Sequence, residues 1–381
     1  MKLRMFLCTS LIACLLLPVP LLGQENGRVD KEQAAGDVTL RDCIENLTLE
    51  GDMMIRYELL DLDNPVEPDE TRDRIRTRFR LGFDWKSRDE NWQLSAGLAT
   101  GGPTATSTLD TWSEDTYFET GDIRLDYAYA SHNIGPVTFI AGQQKNPYQT
   151  SWLLWDSDVR PAGFTLQIDP GRFFVTAGGY DVIQIEVDQD FGILYAVQAG
   201  TGIELQNAGI SLAVAYYDFD GDFERQFRRD NPNLDPDYEF NVIDLYASAE
   251  MDFGDIGLTV YGQVFENIGA KGNTGQSVLG GALDPEKENM GWAAGIEVKI
   301  MRFVLEYTYA ELGADAFVPG LTDATFGDGV GDTDLKGHII SLDFNVTTCF
   351  TVGGNVYIYE ALERDNEPEA VQYHAELRYK F

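Results

Sequence analysis

The chain has 381 residues, with 63 acidic against 28 basic side chains and a formal net charge of -35. So acidic a balance excludes nucleic-acid binding, which needs a basic face. Beyond the first two dozen residues no segment supplies the ~20 uninterrupted apolar residues of a membrane helix, whereas 38 glycines, 18 tyrosines and 21 phenylalanines suit a chain of many strands and turns.

At the N-terminus, Lys2 and Arg4 precede an apolar run from Met5 to Leu22 that Pro18 and Pro20 close. This pattern predicts a secretory signal peptide over 1–23, cleaved near Gly23. Residues 24–46 are expected to be a short periplasmic lead, and 47–381 a single β domain.

From there the chain alternates with a period of two, the period of a strand whose successive side chains point to opposite faces. Glu50, Asp52, Met54, Arg56 and Glu58 alternate with Leu49, Gly51, Met53, Ile55 and Tyr57. Arg74, Arg76, Arg78 and Arg80 then occupy every second position, interleaved with Ile75, Thr77, Phe79 and Leu81. One face of that strand is a column of guanidinium groups. The pattern continues through Trp92–Ala99, Asp122–Tyr129 and Trp292–Lys299, and it is clearest in Val371–Phe381.

About sixteen such segments can be counted, and the breaks between them sort by length. Short ones fall near 86–91, 132–136, 169–172, 207–209, 252–255, 301–302 and 346–349. Long ones fall near 59–72, 101–121, 146–162, 181–191, 220–239, 267–289, 312–336 and 360–370. They alternate strictly. This predicts an all-β, transmembrane antiparallel β-barrel with short periplasmic turns and long extracellular loops. Trp85 and Trp92 flank a short turn with the lipid-facing phase, as an interfacial aromatic girdle requires. Cys43 and Cys349 both fall on the short-turn side, about two strands apart around a closed barrel. They are a candidate disulfide, since exported proteins can keep one.

The C-terminal YHAELRYKF, with Tyr379 and Phe381, resembles the sorting signal of bacterial outer-membrane proteins, which the barrel-assembly machinery reads. RDRIRTRFRLGF (72–83), then GLATGG, AGQQKNPY and LLWDSDVRPAGFTLQ, in that order within residues 51–168, resemble the putative-porin family of Gram-negative bacteria. The resemblance implies a water-filled diffusion channel for small hydrophilic solutes in the outer membrane, in contact with lipid and lipopolysaccharide, and a possible homotrimer. No cofactor and no metal site are expected.

In sixteen-stranded general porins the third loop folds into the barrel, with acids facing a basic wall. The resemblance therefore nominates Asp156 and Asp158, in the third long break, as the acidic side of a constriction, with Arg74, Arg76, Arg78 and Arg80 as the basic wall. Trp152 and Trp155 would pack the loop against that wall. Opposed charges across a narrow aqueous gap set which ions pass.

A second reading of the ladder stays open. Glu50, Asp52 and Glu58 on the neighbouring strand could pair with the arginines across the strands and neutralise them. A dedicated anion pathway, or a closed structural or adhesin-like barrel, are the functional alternatives.

Acid-rich stretches at 217–224 and 326–337 invite a calcium reading. Asp218, Asp220 and Asp222 carry EF-hand spacing, but Phe223 replaces the required glycine and Arg229 the closing glutamate. Both stretches are expected to be solvated loops. The three histidines, His132, His338 and His374, fall in no nucleophile or metal motif, so an enzyme is not expected.

Overall fold

Side chains that alternate between apolar and polar can satisfy lipid and lumen at once only if the sheet has no free edge. The computed structural model describes residues 46–381 except 115, 119, 185–190, 222, 224–226, 228–230, 232, 233, 236, 274, 281 and 282. The expected signal peptide and lead, Cys43, and Asp222 and Arg229 of the calcium reading lie outside the described residues.

The strands run, in chain order, β1 (Leu47–Asp63), β2 (Glu70–Lys86), β3 (Trp92–Thr100), β4 (Asp110–Thr111), β5 (Ile123–Ile134), β6 (Val137–Gln143), β7 (Ala162–Ile168), β8 (Phe173–Gln184) and β9 (Phe191–Leu205). They continue as β10 (Ala208–Gly221), β11 (Asn241–Asp252), β12 (Ile256–Asn267), β13 (Met290–Ile300), β14 (Phe303–Leu312), β15 (Leu335–Asn345), β16 (Phe350–Ala361) and β17 (Glu369–Lys380). Each long strand pairs antiparallel with its sequence neighbours, and β1 closes the ring on β17. β4 is a two-residue insert that pairs with Arg76 and Thr77 of β2. The architecture is thus a closed antiparallel barrel of sixteen long strands.

Outward positions carry apolar side chains such as Leu49, Phe83, Leu125, Phe164, Leu212, Leu305 and Leu377, all exposed on the outer wall. The seven short turns stand where alternation predicted them. The first long connection is shorter than expected, 64–69 rather than 59–72. β1 and β2 run on as 17-residue strands because Asp61 and Thr71 at their tips hydrogen-bond at 2.5 Å and keep the hairpin zipped.

Closure also explains the C-terminus. Phe381 exchanges two backbone hydrogen bonds with Gly51, both 3.0 Å, and its ring lies near Phe79 and Tyr379. A side chain at Gly51 would meet that ring at 2.5 Å, so glycine is required by the close approach.

The interior differs at its two ends. Towards the long loops it holds a packed core of inward residues from β8 to β16, among them Tyr180, Tyr217, Phe219 and Phe265. The connections 144–161 and 313–334 contribute Leu153, Leu154, Trp155, Phe317 and Phe326 to the same core. Full burial of a leucine stabilises by roughly 1.5–3 kcal/mol, so Leu153 and Leu154, at 1% and 0% exposure, hold the first of these loops inside the barrel.

Candidate functional site

Register places charge against charge on the inner wall formed by β17, β1 and β2. Asp52 stands opposite Arg80 and Glu58 opposite Arg74, with Arg56 opposite Arg76 between them. On the other side of β1, Glu376 is opposite Arg56, and His374 opposite Glu58. Because β1 repeats its inward charges at the same period as β2, the hairpin connection 64–69 sets the pairing with the arginines, and closure sets the pairing with β17.

The ladder is neutralised along its length. Asp52 accepts from Arg78 Nε at 2.9 Å and from Arg80 Nε at 2.7 Å. Glu58 accepts from Arg74, and its Oε1 lies 3.3 Å from Arg56 and 3.4 Å from Arg76. Arg56 Nε also donates to Glu376 at 2.7 Å. The side chains of Glu58 and Glu376 are only 3% exposed, so removing one charge strands the others in a site that water barely reaches. Glu50 departs from the expectation. It pairs with Lys145 at 3.3 Å, beyond the ladder, because its place near the short-turn end of β1 brings it beside the chain leaving β6.

Three connections fold inward onto this wall or across from it. In the second, 101–122, Arg76 Nη2 donates to Ser107 Oγ at 3.2 Å and to the Leu109 carbonyl at 3.1 Å. Thr108 donates its N–H and its hydroxyl to Asp158, at 3.0 and 2.9 Å. The third, 144–161, crosses the interior. Gln149 N–H donates to Gln198 of β9 at 2.8 Å, Ser151 N–H to Gln263 of β12 at 2.9 Å, and Trp152 Nε1 to Tyr261 of β12 at 3.3 Å. All three acceptors stand on inward positions.

Of the two nominated acids, Asp158 meets the wall, at 3.6 Å from Arg80. Asp156 does not. Its N–H donates to the Leu321 carbonyl at 2.9 Å, and its carboxylate accepts from Ala324 N–H at 3.2 Å. Trp152 and Trp155 also face away from the arginines. Trp155 lies beside Tyr217 and Phe317, and Trp152 beside Phe326. The reason is that β10 and β12 carry large apolar residues on their inward phase, and these need a cover that water cannot give. The signal was present in LAVAYYDF (212–219), where the inward phase, Ala213, Ala215, Tyr217 and Phe219, is as apolar as the outward one.

The 313–334 connection carries residues that alternation could not nominate. Asp328 bridges the long-loop end of the ladder, accepting from Arg72 and, at 2.9 Å, from Arg74. Asp334, fully buried, takes Arg364 Nε at 2.7 Å. The stretch 326–337 is therefore not simply a solvated loop: Asp328 and Asp334 are held by arginines, and of its acids only Asp332 is exposed. Between the second and third loops lies a cavity of about 360 Å³, lined by Arg124, Asp126, Asp158, Arg160, Trp155 and Tyr180 among others. Arg160 is fastened there to Asp126 at 3.1 Å.

Cys349 is exposed in the turn before β16 and forms no disulfide among the described residues. The histidines are dispersed: His132 stacks on Trp92, His338 bonds Tyr307, and His374 is buried beside Arg56 and Glu58.

A closed sixteen-stranded barrel with a long loop folded into its interior is the architecture of an outer-membrane porin-like channel. Residues 59–231 match the model of the family described as "Putative porin", the family that the ladder and its following motifs resemble. Among solved structures, the high-pH form of OprB from Pseudomonas putida aligns at 11% identity over 89% of this chain and 95% of that one, with a TM-score of 0.59. A triple mutant of the Rhodopseudomonas blastica porin aligns at 12% identity over 88% of this chain and all of that one, with a TM-score of 0.49. No curated protein sequence matches this chain.

Proposed function

We propose that this protein is a porin of the Gram-negative outer membrane, a passive channel for small hydrophilic solutes and ions. Its narrow part runs between the third loop and the wall of Arg74, Arg76, Arg78 and Arg80. The observation that carries this reading is the third loop's course: it is hydrogen-bonded to inward residues of β9 and β12 while Asp158 reaches across to Arg80. Asp158 is then the acid that faces the wall, and Asp156 serves the loop contact.

Because Asp52, Glu58, Asp158 and Asp328 meet the ladder, the wall acts as a neutralised surface rather than an anion conductor. Selectivity then falls to lumenal acids away from the ladder, among them Glu306 of β14, which stands opposite Glu297 of β13 while Glu297 itself pairs with Lys299 at 2.8 Å, and the channel should favour cations weakly. A specific observation favours a second reading, a closed structural barrel: the apolar core built by both loops occupies part of the interior. Export by residues 1–23, assembly through Tyr379 and Phe381, contact with lipopolysaccharide and trimer formation complete the proposed setting.

Single-channel current in a planar bilayer, with the reversal potential under a salt gradient, separates the two readings. Steady open steps with a small cation-side potential are expected. Silence from a folded barrel would mean that the core and ladder seal the lumen.

A further inference from the structure

The third loop and the 313–334 loop touch at one polar contact inside an otherwise apolar core. Asp156 stands at its centre, 4% exposed. Its carboxylate accepts from Ala324 N–H across the contact and from Asp158 N–H, at 2.6 Å, within its own loop. No lysine, arginine or histidine pairs with it among the described residues.

The charged groups around it are otherwise accounted for. On its own loop, Asp158 is held by Thr108 and faces Arg80, while Arg160 is turned to Asp126. On the facing loop stands Asp323, whose Oδ1 accepts from Thr325 and Phe326 N–H, both at 2.8 Å. Asp323 in turn senses Arg56 of β1 and Tyr357 of β16. Asp328 is occupied by Arg72 and Arg74. Asp156 is thus a buried carboxyl with two acidic neighbours and no counter-ion. Such a group resists ionisation in place.

We infer that Asp156 and Asp323 form a proton-operated latch: with Asp156 protonated the two loops stay joined across the interior, and with it ionised beside Asp323 they part and widen the passage. The latch rests on the channel reading above. Burial first, and Asp323 next, push the Asp156 carboxyl up to about 7, and burial raises Asp323 as well. When the loops part, water returns Asp156 towards its ordinary value of 3.8.

The joined state therefore holds the proton more tightly. Joining is strongest below about pH 4, weakens by about tenfold per pH unit above that, and reaches its floor once pH has passed 7.

The test uses the full chain in planar bilayers between pH 4.5 and 8.5, with hydrogen exchange of peptides spanning 150–160 and 318–328 on the same preparation, corrected for intrinsic rates. The wild type should leave its low-conductance level as pH rises and change little above 7, and both peptides should lose protection together. Asp156→Asn should hold the low level and the protection at every pH, and Asp323→Asn should reduce the pH response. Normal protection in the barrel strands shows that a variant folds.

Open channels whose current and exchange do not change with pH, or an Asp156→Asn variant that responds like the wild type, would overturn the latch and leave the channel reading standing. No current at any pH, with wild-type peptides that still open together as pH rises, would overturn the channel reading and keep the loop contact as a proton-sensitive joint. Silence together with pH-independent exchange overturns both.

Discussion

Asp158, on the loop after β6, stands 3.6 Å from Arg80 on β2. That single approach joins the third loop to the basic wall, while Asp156, two residues earlier, is turned to the 313–334 loop. One short segment therefore serves two partners. Its acidic residues divide between the passage and the core that holds the loop in place.

If the passage runs along this wall, neutralising its lower half should change which ions cross. Arg78→Gln with Arg80→Gln leaves Asp52 without its two guanidinium partners and takes from Asp158 its one contact with the wall, while Thr108 still holds it. The reversal potential under a salt gradient should move several-fold towards cations in permeability ratio. An unchanged potential would mean that ions pass elsewhere in the barrel.

Removing residues 151–157 takes the third loop's centre out of the interior. Conductance should rise by about twofold or more, since the loop no longer narrows the lumen. The same deletion removes Leu153 and Leu154 from the core, where loss of a buried leucine costs about 2–5 kcal/mol. The thermal transition should fall in parallel. Unaltered conductance with a lowered transition would show that the loop is a core element and not a constriction.

The ion network predicts a contrast in stability. Glu58→Gln removes the carboxylate shared by Arg56, Arg74 and Arg76 and should cost about 3–5 kcal/mol, as breaking a buried pair does. Glu50→Gln breaks only the half-exposed pair with Lys145 and should cost at most about 1 kcal/mol. Equilibrium unfolding in denaturant compares the two. Equal effects would mean that the Glu58 site is wetter than its 3% exposure implies.

Mass spectrometry of the unreduced protein should show Cys43 linked to Cys349, because Cys43 precedes β1 in the chain and Cys349 precedes β16, two strands away around the ring at the short-turn end. Two free thiols would remove that link.

Much of the barrel was legible before any coordinates. A period of two in side-chain polarity, with breaks alternating short and long, predicts antiparallel strands that separate lipid from lumen, and the seven short turns stand where that pattern put them. The pairing of Asp52 and Glu58 with the arginines was legible for the same reason: two adjacent strands with charges in the same phase must present them to one another. The apolar inward face of β10 was also readable in LAVAYYDF, though its meaning depends on what covers it.

What the sequence could not decide are contacts between segments far apart in the chain. Asp328 on Arg72 and Arg74 joins residues more than 250 positions apart (|i−j| 256 and 254), and the direction in which Asp156 turns depends on where the 313–334 loop lies. Alternation fixes only which face of a strand a side chain takes. A loop has no such period, so its partners follow from the shape and polarity of the space that closure encloses. The wall was written in the spacing of residues; its cover exists only once β1 has met β17.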